Sequence, residues 1–239
     1  MNKLNIILKK YEKDGFIILK NFITKKEIDV FEKKLFEIYS NNLKAYVNKK
    51  NVHKVIISSE KNKLYDQLYL CYNKYIISKP YKNIQKKFLL FSKKLFKKNY
   101  KYLKAGMAIG IRNSSRTAYD WHQEKSYYNI KNTIHFQFPI ISPATKNNGT
   151  MSVLASSHNL GEIKKTKNIK KSKKSINTLK PNNINQIKKN YKEKFIKMKL
   201  GDVCMFNENI IHKTNKNYSK NVRLVPIIRF KPSNKWEVF

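Results

Sequence analysis

Two histidines and a carboxylate offer the first chemistry in this sequence. Trp121-His122-Gln123-Glu124 sets an imidazole and a carboxylate two residues apart. On a strand, residues i and i+2 share a face, so His122 and Glu124 can take two cis positions on a metal. About ninety residues later, Ile210-Ile211-His212 forms a second strand-like run. If the two runs are neighbours, the set is two histidines and one carboxylate. That is the facial arrangement of non-haem Fe(II) oxygenases, with three positions left open. His-x-Glu alone is weak evidence, and each histidine singly reads better as a hydrogen-bonded structural residue. Arg223 shifts that balance. It lies eleven residues after His212, inside the apolar run Val222 to Ile228. A guanidinium there can reach into a barrel and pair bidentately with a carboxylate. A co-substrate that chelates iron through a 2-oxo acid and carries a distal carboxylate needs such a group. Thr214, two residues after His212, points the same way and can add a hydroxyl contact.

These residues need a scaffold, and the periodicity supplies one. Residues 1 to about 100 read mainly as helix, interrupted by Asp14-Gly15 and the short apolar strand Phe16 to Leu19. Thr24-Lys25-Lys26-Glu27 has the spacing of a capping box, and Ile28, Phe31, Leu35 and Ile38 follow at helical intervals. Two more helices are predicted at about 61–77 and 81–98. From about 103 the period shortens. Runs rich in β-branched and aromatic residues fall at 104–111, 132–141, 150–155, 194–199, 202–206, 209–214 and 222–230. Turn residues at Asn147-Asn148-Gly149, Gly201-Asp202 and 215–217 separate several of them. Many short strands with such turns predict a sandwich or jelly roll. The stretch 162–193 is dominated by Lys, Asn, Ser and Ile and predicts a long, mobile loop.

Composition bounds the alternatives. The 239 residues carry 52 Lys and Arg against 15 Asp and Glu, a net charge of +37. Such a balance suggests nucleic acid or an anionic surface. Yet only Arg112, Arg116, Arg223 and Arg229 are arginines, the usual readers of bases and phosphates. Abundant Lys, Asn and Ile share A/T-rich codons, so the charge reads first as genome composition, though it can favour an anionic substrate. Two cysteines, Cys71 and Cys204, exclude a disulfide scaffold and a Cys-rich metal centre and fit a reducing, cytoplasmic setting. No apolar run approaches the ~18 residues of a membrane span, and the N-terminus lacks the core of a signal peptide.

Taken in order, the motifs resemble the phytanoyl-CoA dioxygenase family of Fe(II)/2-oxoglutarate oxygenases. Tyr11 to Ile18 followed by Phe22-Ile23-Thr24 is similar to the family's opening strand and helix. Trp121 to Glu124 is similar to its first metal motif. Asn148-Gly149-Thr150-Met151 and Ser156-Ser157-His158 resemble its Asn-Gly turn and Gly-Ser-His segment. Gly201 to Phe206, His212, Asn217, Ser219 and Arg223 resemble its C-terminal block. The resemblance implies a mainly β fold with N-terminal helices (α+β): one domain over 1–239, a double-stranded β-helix or cupin-like jelly roll. It implies hydroxylation of a small molecule with Fe(II), 2-oxoglutarate and O2, giving succinate and CO2. His122, Glu124 and His212 become the iron ligands and Arg223 the partner of the 2-oxoglutarate C5 carboxylate, with Thr214 assisting. Gln137 falls in the strand near the co-substrate. His135 and His158 remain packing or turn residues. Two departures stand out: Glu124 replaces the usual Asp, and Ser156 replaces the Gly. A carboxylate at 124 also argues against the family's halogenases, which carry a small residue there. The rival readings are a basic nucleic-acid-binding protein and a catalytically silent jelly-roll binding module. The intact set of His122, Glu124, His212 and Arg223 speaks against the second.

Overall fold

The computed structural model describes residues 2–61, 65–114, 118–128, 130–165 and 179–234. The N-terminal part is helical: α1 (Lys3–Asp14), α2 (Lys25–Leu43), α3 (Val52–Lys61), α4 (Tyr65–Ile76) and α5 (Lys79–Phe96), with β1 (Phe16–Leu19) after α1. Each boundary has a local cause. Gly15 ends α1 in the left-handed region at φ 78°, which costs a glycine little. Thr24 and Glu27 close the capping box in both directions at the start of α2. The predicted helices over 61–77 and 81–98 correspond to α4 and α5, with residues 62–64 outside the described residues. The sequence reading did not separate α3.

The remaining strands are β2 (Tyr100–Gly110), β3 (Ile134–Gln137), β4 (Met151–Leu154), β5 (Glu193–Phe195), β6 (Val203–Asn207), β7 (His212–Thr214) and β8 (Arg223–Pro232). They form a five-stranded sheet in the order β1-β6-β3-β8-β2 and a three-stranded sheet in the order β5-β4-β7. All these pairings are antiparallel. This is the expected mainly β jelly roll with N-terminal helices.

Period-two alternation assigns the two faces of the large sheet to two different jobs. Leu224, Ile228 and Phe230 of β8, Ile134 and Phe136 of β3, and Val203 and Met205 of β6 pack into one core with the helices. Phe88 stacks on Phe136 with ring centroids 4.7 Å apart, and Phe31 meets Phe138 at 5.5 Å. Burying such a side chain contributes roughly 1.5–3 kcal/mol. On the opposite face, Cys204 and Phe206 of β6 join Met151 and Val153 of β4 in a second core between the sheets. Arg223, Ile227 and Arg229 of β8 also face that side, where they line a cavity. The helices thus cover one face and leave the other free to build a site.

The stretch 162–193 differs from its prediction. Residues 166–178 lie outside the described residues. Beyond them, α6 (Ile184–Asn190) buries Ile184 and Ile187 against Trp121, Leu154 and Ile211. Apolar residues three apart on one helical turn explain it; the surrounding lysines and asparagines hid them. Among the described residues, no helix is long and apolar enough to cross a membrane.

Candidate metal centre and co-substrate site

His212 opens β7, and His122 pairs with it across an isolated antiparallel bridge. The two residues exchange both backbone bonds, His122 N–H to His212 O at 2.9 Å and the reverse at 3.0 Å. Their rings stand 4.2 Å apart. Glu124 arrives differently from the prediction. It opens a single turn of 3-10 helix, Glu124–Tyr127, rather than continuing a strand. Lys125 N–H donates to Glu208 O at 3.0 Å and pins that turn. The bend after His122 replaces strand alternation in turning the carboxylate toward the histidines. One ligand atom from each of His122, Glu124 and His212 lies within 4.8 Å of the others, and all three residues are buried.

Backbone carbonyls set the histidine tautomers. His122 Nδ1 lies 2.7 Å from Asp120 O, and His212 Nδ1 lies 3.0 Å from Ile210 O. A carbonyl only accepts, so each Nδ1 carries the proton and donates. In the neutral rings Nε2 is then the available ligand atom. A hydrogen-bonded first nitrogen and a bare second one is the usual state of a metal-binding histidine. Burial pushes His122 down to about 3, assisted by His212, so its ring is neutral and competent to bind a metal near pH 7. His212 Nε2 faces Glu124 Oε1 at 3.7 Å. Two electron-pair donors set toward one another at that distance suit a cation between them.

Glu124 has a second partner, which sequence reasoning missed. Arg229 grips it with a two-point fork: Nε to Oε2 and Nη2 to Oε1, both at 3.0 Å. Burial alone would raise the Glu124 carboxyl, but the Arg229 charge holds it well below the usual carboxylate range. The signal was in the sequence. Arg229 directly follows the apolar run that holds Arg223, six residues on, and an even spacing puts both on one strand face. His135 also lies close, with Nδ1 3.9 Å from Glu124 Oε2. Packing, as predicted for His135, does describe a ring that is fully buried and held down at about 3 by burial.

Arg223 is 2% exposed. Its Nε donates to Asn148 O at 3.3 Å, while its buried Nη2 has no partner among the described residues. Burial lowers it to about 10, which leaves it charged at neutral pH. A buried guanidinium with an unmet donor is costly, and a ligand carboxylate would satisfy it. Glycine makes the room on the facing strand. A Cβ on Gly110 would lie 3.1 Å from Arg223 Nε, and one on Gly106 would lie 3.0 Å from Arg229 Nη1. All six residues singled out from the sequence, His122, Glu124, Gln137, His212, Thr214 and Arg223, line one cavity of about 400 Å³. Gln137 spends its amide N–H₂ on Met151 Sδ at 3.2 Å. The cavity is within the range that small-molecule sites occupy. Ligand atoms for a divalent ion and a guanidinium lacking an anion fit iron and a 2-oxo dicarboxylate. His158 is elsewhere: it lies against Gly15 and reaches Glu12 O with Nε2 at 2.9 Å.

Comparison with known proteins agrees with this arrangement. No curated protein matches the sequence significantly. Solved structures share the fold at low identity. The apo form of EctD from S. alaskensis is 12% identical, with a TM-score of 0.67 over 99% of this chain and 79% of its own. The non-haem alpha-ketoglutarate dependent epimerase SnoN from nogalamycin biosynthesis is 11% identical, with a TM-score of 0.62 over 96% and 82%. AviO1 from Streptomyces viridochromogenes Tue57 is 9% identical, with a TM-score of 0.61 over the whole of both chains. The family model for phytanoyl-CoA dioxygenase matches residues 11–225, nearly the full length. The chain belongs to the phytanoyl-CoA dioxygenase family, and with it to the non-haem iron oxygenases that depend on 2-oxoglutarate.

Proposed function

We propose that the 239 residues act as one domain that hydroxylates a small anionic molecule, with Fe(II) held by His122, Glu124 and His212. Arg223 takes the distal carboxylate of 2-oxoglutarate, and Thr214 and Gln137 flank it. The observation that carries this reading is the buried Arg223 guanidinium, which lines the cavity that also holds the three ligand residues and has a donor unmet among the described residues. Iron, 2-oxoglutarate and O2, when bound, would supply the oxidising chemistry: one oxygen atom of O2 goes to succinate as CO2 leaves, and the other becomes the substrate hydroxyl. The chain's own residues bind, orient and exclude water. Asp120 O and Ile210 O keep a proton on each Nδ1 and so aim each Nε2. Phe206 and Met151 provide apolar wall, which strengthens charge interactions inside.

An anionic substrate follows from the charge of the wall. Among the described residues, Arg223, Arg229 and Lys104 face the cavity against a single carboxylate, Glu124. With Arg223 given to the co-substrate and Arg229 to Glu124, the exposed Lys104 at the cavity edge is left for the substrate. Cys71 and Cys204 are both free and buried, which supports a reducing, cytoplasmic setting.

The test is anaerobic titration of the protein with Fe(II) and then 2-oxoglutarate, followed through the visible charge-transfer band, and a screen of small acids for succinate release. His122→Ala and His212→Ala should each abolish the band while circular dichroism stays that of wild type. A band that survives either substitution would remove that histidine from the ligand set.

A further inference from the structure

We propose that Arg229 is a positioning residue for the ligand Glu124. Its guanidinium retains one carboxylate oxygen so that glutamate binds iron through the other oxygen alone. The proposal rests on the reading of the cavity as an iron and 2-oxoglutarate centre.

The two oxygens of Glu124 stand in different surroundings. Oε1 accepts from Arg229 Nη2 at 3.0 Å and is also the one facing His212 Nε2, at 3.7 Å. Oε2 lies 3.0 Å from Arg229 Nε and 3.9 Å from His135 Nδ1. His135 cannot hold Oε2. The Thr133 hydroxyl gives its proton to Glu208 Oε2 at 2.5 Å, so its oxygen accepts from His135 Nε2 at 2.9 Å. In the neutral ring that leaves His135 Nδ1 without a proton, and it has no hydrogen-bond partner among the described residues. Retention of Oε2 therefore falls to Arg229.

Arg229 is built to stay in place. It sits within β8, with β3 on one side and β2 on the other, opposite His135 and Lys104. Gly106 leaves just the space its Nη1 fills, and the Tyr128 ring lies 5.8 Å from Cζ. The pair is almost sealed from water, Arg229 being 8% and Glu124 5% exposed.

The need for such a hold comes from the glutamate itself. Compared with aspartate it has one more methylene and one more rotatable bond. A free glutamate carboxylate next to a divalent ion can turn and chelate with both oxygens. The 2-oxo acid requires two positions and O2 a third, so a chelating Glu124 would occupy one of them. Arg229 occupies the second oxygen first. The same fork competes with the metal for Oε1 through Nη2, which offsets the help Arg229 gives in keeping Glu124 ionised, so metal binding should survive its loss.

Anaerobic titrations of wild type, Arg229→Gln and Lys104→Gln read the two ligands separately. In Arg229→Gln, Fe(II) affinity should stay at the wild-type level or rise. Its 2-oxoglutarate affinity, read from the charge-transfer band, should fall by about 10-fold or more, the scale on which activity falls when an outer partner of a metal ligand is lost. Lys104→Gln removes a cation from the same cavity without touching Glu124 and should fall clearly less. Unchanged 2-oxoglutarate affinity in Arg229→Gln overturns the proposal. So does joint loss of metal and co-substrate, or an equal fall in Lys104→Gln. A crystal structure of the wild-type protein loaded with Co(II) needs no variant to fold. Glu124 should contribute one oxygen to cobalt and keep Oε2 on Arg229. Both oxygens on cobalt, or a released Arg229, would sink the idea. If wild type itself forms no band with Fe(II) and 2-oxoglutarate, the reading of the cavity fails first and this proposal falls with it.

Discussion

Arg223 and Arg229 share a strand face and differ in what they meet. Arg229 has a carboxylate on two points; among the described residues Arg223 has one backbone carbonyl and an unmet Nη2. Each pattern predicts a different loss. Arg223→Ala should weaken 2-oxoglutarate binding by about 30- to several-thousand-fold, because breaking a buried charged pair costs ~2–5 kcal/mol. Fe(II) affinity should remain near that of wild type. Arg223→Lys should fall between, since lysine supplies the charge without the fork. Titrating both ligands against the three proteins checks this, and equal 2-oxoglutarate affinity in wild type and Arg223→Ala would remove Arg223 from the site. The candidates themselves were legible at this scale because metal ligands and buried arginines are rare residue types in apolar surroundings. The bond between Glu124 and Arg229 was not, since it joins side chains 105 positions apart.

At the scale of elements, the corner between α1 and β1 shows how a local rule becomes a tertiary constraint. Gly15 adopts φ 78°, and a Cβ there would lie 2.4 Å from His158 Nδ1. Ser156 N–H donates to Asp14 O at 2.8 Å and its hydroxyl to Lys13 O at 2.9 Å, so the Ser-Ser-His turn docks on this corner. Gly15→Ala should therefore destabilise the fold by more than ~1 kcal/mol, from strain at positive φ together with the clash. Adding His158→Ala should recover the clash and leave the strain. Denaturant unfolding of the two variants separates these parts, and a neutral Gly15→Ala would contradict the packing of this corner. The helix breaker at Asp14-Gly15 was readable from sequence. Its docking partner was not, because nothing local links residue 15 to residue 158. The same limit applied to α6, whose two buried isoleucines are legible as core residues only once Trp121 and Leu154 are seen across from them.

Over the whole molecule, buried neutral histidines tie stability to pH. His122 and His135 are held at about 3 by burial, against about 6.5 for an unfolded histidine. Between these values the unfolded chain takes up protons that the folded chain refuses. Stability is therefore full above pH 6.5 and is lost as the pH falls toward 3, at up to ~1.4 kcal/mol per pH unit for each histidine. Glu124, held low by Arg229, adds to the loss in the same direction below its unfolded value. The metal-free protein should unfold in progressively less denaturant as pH is lowered from 7 to 4. His135→Asn should flatten that dependence. A slope unaltered by removing His135 would show that its ring is not held neutral in the fold.

The sequence by itself determined which residue types could carry the chemistry and which faces they would share. Residue type and spacing single out His122, Glu124, His212, Thr214 and Arg223, family resemblance adds Gln137, and all six line one cavity. Strand alternation and turn residues were enough for the mainly β core, because both are properties of neighbouring residues. Tertiary structure decided the rest. It put Glu124 on a turn rather than a strand, chose the histidine tautomers through two backbone carbonyls, and closed the Arg229 fork on Glu124. Each of these depends on where one strand lies against another. That register is fixed by two cores packing on opposite faces of one sheet, a condition that no local run of residues can express.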